Sequence, residues 1–468
     1  MEPQRLRVLD TVGLPPPAAA EHAVAPLPLS GLDADRNMLD VTFRTLRFFP
    51  PPPPSADPLA VLPRAFAAAL GLFPALAGRI RDGHVVVGAG AAVPLVLAAS
   101  ELSVADVDTD APGSPLLDGL APGDVADGPA LALQATRFAC GGVALGMRVA
   151  HALCDGAGAT RFLAAAARFS RGQGPPDVAP VWERRELLGP RQPPRVAKVR
   201  PRSIFGLASP LRVATPVFDR VLALNDDVAQ CGPYGAAGEW HKQQKLTREA
   251  FHVSEARVEA LRARLADEAC LRLTTFEVAA AFIWRAKVKA NGTSSGEVVK
   301  MVYSMNISKL VDPPLPDGYW GNVCVPVYVA LASGDLIAQP LAATAALIKK
   351  SKQAVDDEYV RSYIDFQELH RGEGITAGAV SAFTDWRRLS HGEVDFGWGG
   401  PDAVLPLSWR ILGSTEPCFL LPYGAGDERR RRGFKVFVAL RRAAVAAFRE
   451  EMQELLLQQQ QQSSVGKL

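Results

Sequence analysis

The stretch Val143-Ala-Leu-Gly-Met-Arg-Val-Ala-His151-Ala-Leu-Cys-Asp155-Gly156-Ala-Gly158 decides how this chain is read. Val143, Leu145, Met147 and Val149 alternate at the period of a strand that buries one face. His151 continues that phase just past the strand end, where a ring can sit half-exposed in a cleft. Gly156 and Gly158 permit a tight turn into a helix over 159–169. Just upstream, Leu131–Phe138 reads as a partner strand, turned back by Gly141-Gly142. The local unit is strand, turn, strand, histidine, glycine turn and helix.

A histidine in that place has two readings. It can be a satisfied core residue, or a base whose ring, with an unperturbed pKa near ~6.5, accepts a proton near neutral pH. Asp155 cannot easily share the histidine's face, so orienting the loop suits it better than relaying charge. His151, Cys154 and Asp155 lie too close together for a tetrahedral metal site, and no metal is expected. A second H-x-x-x-D, His391-Gly-Glu-Val-Asp395, sits in a polar loop after Arg387 and Arg388 and is expected to be decoration. It leads into Asp395-Phe396-Gly397-Trp398-Gly399, a glycine-aromatic loop with a large apolar anchor in Trp398.

Working outward, strand-like and helix-like runs alternate on both sides. Residues 41–49 carry the β-branched and aromatic content of a strand, and 62–72 the spacing of a helix that stops at Pro74. The run 84–100, broken by Gly88, Gly90 and Pro94, reads as strand and turn rather than a membrane span. Further on, 256–268 and 275–290 are helical, 298–307 and 433–440 are strands, and 441–457 is a closing helix. A mixed α/β fold follows.

Charge and composition mark the divisions. The 468 residues carry Lys+Arg 51 against Asp+Glu 49, a net +2, so no long-range field gathers nucleic acid or an anionic membrane. Hydrophobic residues make up 48%, enough for a large core and too many for disorder. Residues 184–212 hold eight basic side chains and one acidic, with five prolines, which reads as an exposed crossing segment or a docking patch. The expected layout is 1–183, a crossover over 184–246, and 247–468. The six cysteines are too sparse to staple the chain and read as reduced thiols. No apolar run follows Arg5 and Arg7, so no secretory signal is expected, and a cytoplasmic monomer is. The 458–462 glutamine run reads as a frayed tail.

The two motifs together resemble the plant BAHD acyl-CoA-dependent acyltransferases, whose pattern is HxxxD-G near the middle and DFGWG toward the C-terminus. The likeness extends to Pro28-Leu-Ser-Gly-Leu-Asp33, Leu72-Phe-Pro-Ala-Leu-Ala-Gly-Arg79, Thr274-Thr-Phe-Glu277 with Ile283-Trp-Arg285, Pro316-Asp-Gly-Tyr-Trp-Gly-Asn322 and Thr384-Asp-Trp386. It implies two similar chloramphenicol acetyltransferase-like α/β domains with a solvent channel between them. It implies no permanent cofactor, an acyl-CoA co-substrate and a small-molecule acceptor. His151 would deprotonate an alcohol or amine that attacks the thioester directly, with Asp155 orienting the loop. Thr384 and Trp386 match positions near the oxyanion, and Asp395 to Gly399 would be structural. Hydroxycinnamoyl or another aromatic acyl group is the expected cargo, and an uncharged or aromatic acceptor fits the near-zero charge.

Two departures stand out. Ile307 takes the place of an arginine that pairs with the DFGWG aspartate in the family, so Asp395 needs another cation, with Arg387 or Arg388 at hand. Arg371 is the nearest candidate for an arginine that grips an acceptor carboxylate in hydroxycinnamoyl-CoA:shikimate transferases, in a stretch shorter here. For coenzyme A, Ser254 and Arg257 open a helix and suit a phosphate, or else form a plain cap and a surface arginine. Arg429–Arg432 reads as a solvated hairpin tip or a phosphate site. Among rivals, Gly292-Thr-Ser294-Ser-Gly296 spells a serine-hydrolase elbow, but lies after a helix and before a strand, the reverse of what the elbow needs. A non-catalytic BAHD-like partner protein is the other alternative; such relatives typically have a degraded DFGWG.

Overall fold

A computed structural model describes residues 6–15, 26–39, 41–88, 92–123, 128–197, 223–225, 246–371, 374–376, 380–424 and 426–456. Two six-stranded sheets organise them. The first runs Leu6–Leu14, Val93–Ser100, Leu131–Phe138, Val143–Ala150, Thr42–Phe49 and Ala403–Pro406. Its pairs are antiparallel except Val93–Ser100 beside Leu131–Phe138. The second runs Leu246–Ser254, Gly433–Arg441, Glu416–Leu421, Val380–Asp385, Val298–Asn306 and Cys324–Ala332.

Each sheet is covered by helices whose apolar stripes explain the packing. Over the first, Pro58–Leu72 and Gly156–Ser170 bury Leu62, Phe66, Ala69, Phe162, Leu163 and Ala166. Their Phe66 and Phe162 rings stack at 6.0 Å. Asp57 caps the earlier helix, and Pro58 sits in the first turn, where its missing N–H has no partner to lose. Over the second, Thr275–Ala290 starts with a reciprocal cap between Thr274 and Glu277 and is buried from Glu277 through Trp284. A helix apolar nearly all round belongs in a core, and Glu255–Ala269, Leu341–Gln353 and Val445–Met452 pack against it.

The hairpin Leu131–Phe138 and Val143–Ala150, and the helix Thr275–Ala290, fall where the sequence places them. The closing helix is shorter than 441–457, covering Val445–Met452 after a 3-10 turn. The Gly292–Gly296 segment is a turn between a helix and a strand, not an elbow.

The division of the chain is less clean than 184–246 suggests. Ala403–Pro406, from the second half, hydrogen-bonds along Thr42–Phe49 and closes the first sheet. One hydrophobic cluster mixes Leu32, Phe43, Leu46 and Phe48 with Trp386, Phe419 and Phe437. The two halves therefore share a core. The crossing segment also begins inside the protein: Arg184 is fully buried and pairs with buried Asp33 at 2.9 Å. Removing either partner would leave an uncompensated buried charge, at about 3–5 kcal/mol. Arg191 follows, bound to Asp365 at 2.6 Å and Glu358 at 2.9 Å. Most of the remaining crossover, Cys231 and the glutamine run lie outside the described residues. The other five cysteines are free thiols. Among the described residues, no helix is long and apolar enough to cross a membrane.

Candidate active site

His151 opens a short 3-10 turn, His151–Leu153, at the end of Val143–Ala150. Its N–H donates to the Val41 carbonyl at 2.8 Å, tying it to the start of the neighbouring strand. Its own carbonyl accepts from Asn322 Nδ2 at 2.8 Å. Asn322 is held in turn by Asp33 Oδ1, which accepts from both its backbone N–H at 2.8 Å and its Nδ2 at 2.9 Å. Asp33 Oδ2 faces Arg184. A chain of buried polar groups from both halves therefore fixes the histidine's backbone.

The ring is less open than the sequence suggests. His151 is 8% exposed rather than half-exposed, because Phe43 lies edge-on against it at 5.9 Å. Burial pushes its imidazole below the ordinary histidine range, against the opposing pull of Asp155 and Asp33. The ring is thereby kept neutral near pH 7. Its Nδ1 is buried and has no hydrogen-bond partner.

Asp155 explains that vacancy at Nδ1. One carboxylate oxygen accepts from Ala157 N at 3.1 Å and Gly158 N at 3.0 Å, capping the helix Gly156–Ser170. The other accepts from Val323 N at 3.2 Å, beside the Cys324 thiol at 3.9 Å. Both oxygens hold the loop and stitch it to the opposite half. Gly158 has to be glycine, since a Cβ there would come within 2.7 Å of Cys154 Cβ. Cys154 is buried, and burial pushes its thiol well above the ordinary range, away from the thiolate a nucleophile needs.

Thr384 is the penultimate residue of the strand Val380–Asp385, opposite Phe419, and Trp386 follows that strand. Both are buried. The Trp386 backbone N–H donates to the Leu420 carbonyl at 2.8 Å. Its ring meets Phe43 at 5.7 Å, Phe419 at 5.6 Å and His391 at 6.0 Å. Phe43 thus touches both His151 and Trp386, which brings HxxxD and Thr384-Asp-Trp386 to one place from opposite halves.

The DFGWG loop is anchored in the first half's core. Phe396 packs on Phe49 at 5.7 Å and Phe66 at 5.9 Å, and Trp398 stacks on Phe396 at 5.5 Å. Asp395 Oδ1 accepts from the N–H of Gly397 at 2.8 Å and of Gly399 at 2.9 Å. Those glycines adopt φ of 104° and 100°, a region that an L side chain rarely enters. The cation beside Asp395 is Arg171, at 3.4 Å, not Arg387 or Arg388. Arg387 is taken by Asp385, two residues away, at 2.6 Å. Arg171 follows the helix Gly156–Ser170, and Ser170 Oγ also donates to the Phe396 carbonyl, so the loop is tied to the helix that Asp155 caps.

Other candidates fall elsewhere. Ser254 Oγ caps the helix Glu255–Ala269 by accepting from Arg257 N at 3.4 Å. The Arg257 guanidinium donates to the Gln453 carbonyl at 2.9 Å and Glu454 at 3.3 Å, clamping the C-terminal segment. Arg371 is exposed and pairs with Glu368. Arg429 is held by Asp427 at 2.9 Å and lies over Tyr423, so it is less free than a solvated tip. The second H-x-x-x-D was misjudged in one respect: His391 is buried, with Nδ1 facing Thr160 Oγ1 at 3.5 Å. Sequence reasoning also missed the roles of Phe43, Arg171 and Asn322. Only Asn322 had a signal, as the end of the Pro316–Asn322 turn.

A family model described as the Transferase family matches residues 17–455. A 3'-N-debenzoyl-2'-deoxytaxol N-benzoyltransferase of Taxus canadensis is 31% identical, over 77% of this chain and 76% of its own. A spermidine sinapoyl-CoA acyltransferase of Arabidopsis thaliana is 29% identical, over 84% of each chain. Among solved structures, vinorine synthase superposes with a TM-score of 0.70 at 19% identity, covering 97% of this chain and 98% of its own. The F. sporotrichioides TRI101 complex with coenzyme A and T-2 gives 0.66 at 15% identity, covering 91% and 97%. The chain belongs to the transferase family, and it is an acyl-CoA-dependent acyltransferase of the BAHD kind.

Proposed function

We propose that the protein transfers an aromatic acyl group from its coenzyme A thioester to a hydroxyl or amine of a small specialised metabolite, in a ternary complex with His151 as general base. One observation carries the reading: a buried histidine held neutral, with its backbone fixed from both halves and its neighbouring carboxylate fully spent on the loop. A neutral imidazole is the form that takes a proton. With Nδ1 enclosed, Nε2 is the nitrogen that meets the substrate.

The chemistry then runs in one attack. Nε2 takes the acceptor's proton as its oxygen or nitrogen bonds to the thioester carbonyl carbon. The tetrahedral oxyanion is met by the Thr384 hydroxyl or the Trp386 indole N–H. Collapse breaks the carbon–sulfur bond, and the departing thiolate takes the proton from the imidazolium. No acyl-enzyme forms, which suits the inert Cys154. Asp155 acts by position, and Asp395 to Gly399 act by bracing the helix behind it. Phe43, Trp386 and Phe419 form an aromatic wall beside His151, which favours a flat aromatic acyl group. The benzoyl- and sinapoyl-transferring relatives support the same choice.

The test supplies purified protein with hydroxycinnamoyl-, benzoyl- and acetyl-CoA and with alcohol and amine pools, and follows release of free thiol. Aromatic thioesters should react fastest, and His151→Ala should abolish release. Release that survives this substitution refutes the base. Parallel double-reciprocal plots refute the ternary complex.

A further inference from the structure

The strand Thr42–Phe49 carries a charge the mechanism above does not use. Phe43, Thr45, Arg47 and Phe49 share one face of that strand. At one end Phe43 lies against His151, and at the other Phe49 lies against Phe396. Between them, Arg47 is 1% exposed. Its Nη1 donates to Thr45 Oγ1 at 3.1 Å, and its Nε is buried with no partner. Among the described residues, no carboxylate lies within ion-pair distance of it. Among the described residues, the other arginine under 2% exposed, Arg184, has an aspartate at 2.9 Å.

The neighbour of Arg47 is also a polar group in want of a partner. His391 is buried, and its Nε2 has none. Burial and the nearby Arg47 charge hold His391 neutral, with a pKa of about 3. Trp386 touches both His391 and Phe43, so this corner adjoins the wall beside His151.

We infer that Arg47, with the Thr45 hydroxyl and the His391 ring as its Nε2–H tautomer donating beside it, is a recognition site for a carboxylate carried by one of the two substrates. A desolvated guanidinium without a counter-charge is unfavourable unless a ligand supplies the anion. Its planar fork matches a carboxylate through two parallel hydrogen bonds. Phe43 and Phe49 flank Arg47 along its strand face, and Trp386 lies against His391, so the corner suits a small flat anion. This rests on acyl transfer at His151 and replaces the expectation of an uncharged acceptor. The carboxylate belongs either to the acceptor or to a dicarboxylic acyl group.

Binding to the full-length protein, followed by calorimetry without turnover, separates the cases. In the acceptor arm, 3-(4-hydroxyphenyl)propanoate is compared with its methyl ester. In the donor arm, malonyl-CoA is compared with acetyl-CoA. One arm should show the acid bound roughly 10- to 100-fold more tightly, the range of a charge-assisted bidentate contact, and identifies the source. Arg47→Gln should erase that preference, and His151→Ala should keep it. No acid preference in either arm, or one that survives Arg47→Gln, overturns the inference. Melting temperature provides the second measurement. Without ligand, Arg47→Met should melt at or above the wild type, since it removes an uncompensated buried charge; a fall of several degrees would make Arg47 a structural residue and overturn it too. Failure of His151→Ala to abolish thiol release would refute the base without touching these binding results.

Discussion

Asp155 offers the sharpest test of how this site is built, because its two oxygens do separate jobs. The capping oxygen serves Ala157 and Gly158 N–H groups at a helix N-terminus. Losing such a cap costs about 1–2 kcal/mol. The other oxygen accepts from Val323 N across the two halves. A hydrogen bond to a charged group contributes about 1.5–3 kcal/mol, and here its loss leaves a part-buried N–H without an acceptor. Asp155→Ala removes both, for about 2.5–5 kcal/mol, a large share of an ordinary 5–15 kcal/mol stability. Asp155→Asn can keep the cap with its remaining carbonyl oxygen, but turns an N–H₂ toward the Val323 N–H, so about 1.5–3 kcal/mol should go. Denaturant midpoints at pH 7 measure both. The pH profile of kcat/KM measures the electrostatic part. The Asp155 charge raises the His151 pKa, so the Asn variant should move the acid limb to lower pH. An Asp155→Ala protein within about 1 kcal/mol of wild type, yet inactive, would refute the positioning argument and favour a charge relay.

Further expectations concern the loop and the second histidine. Arg171→Ala should cost under about 1 kcal/mol, since the Arg171–Asp395 pair is partly exposed, whereas Asp395→Ala should cost more by freeing two glycine N–H groups; urea unfolding of both decides the order. Gly399→Ala places a side chain at φ 100° and a Cβ 3.4 Å from Pro50 Cγ, and should lose about 1–3 kcal/mol by the same measurement. His391 is held at about 3 in the folded protein against about 6.5 unfolded. Between those values the unfolded chain binds the extra proton, so stability falls as pH drops, by about 1.4 kcal/mol per pH unit. Unfolding free energies at pH 6, 5 and 4 should show that slope reduced by one proton in His391→Phe.

The local elements were legible because their signals are local. Alternation marks Val143–Ala150, and glycines mark the turn after Asp155. The family likeness rested on HxxxD and DFGWG, which survive as contiguous strings. The partner of Asp395 was not legible in the same way: Arg387 and Arg388 are near in sequence, but Arg171 is near in space. His391 looked like decoration because its flanking residues are polar, while its burial comes from Thr160 and Trp386 on other elements.

By itself, then, the sequence determined which segments become strands and helices, where the histidine turn lies and which family it serves. Those depend on backbone propensity and period, which act over a few residues. Tertiary structure alone decided how buried His151 is, that the second oxygen of Asp155 meets Val323, and that no carboxylate among the described residues pairs with Arg47. Desolvation and ion pairing depend on which side chains meet across the two halves, at separations in the chain of more than a hundred residues.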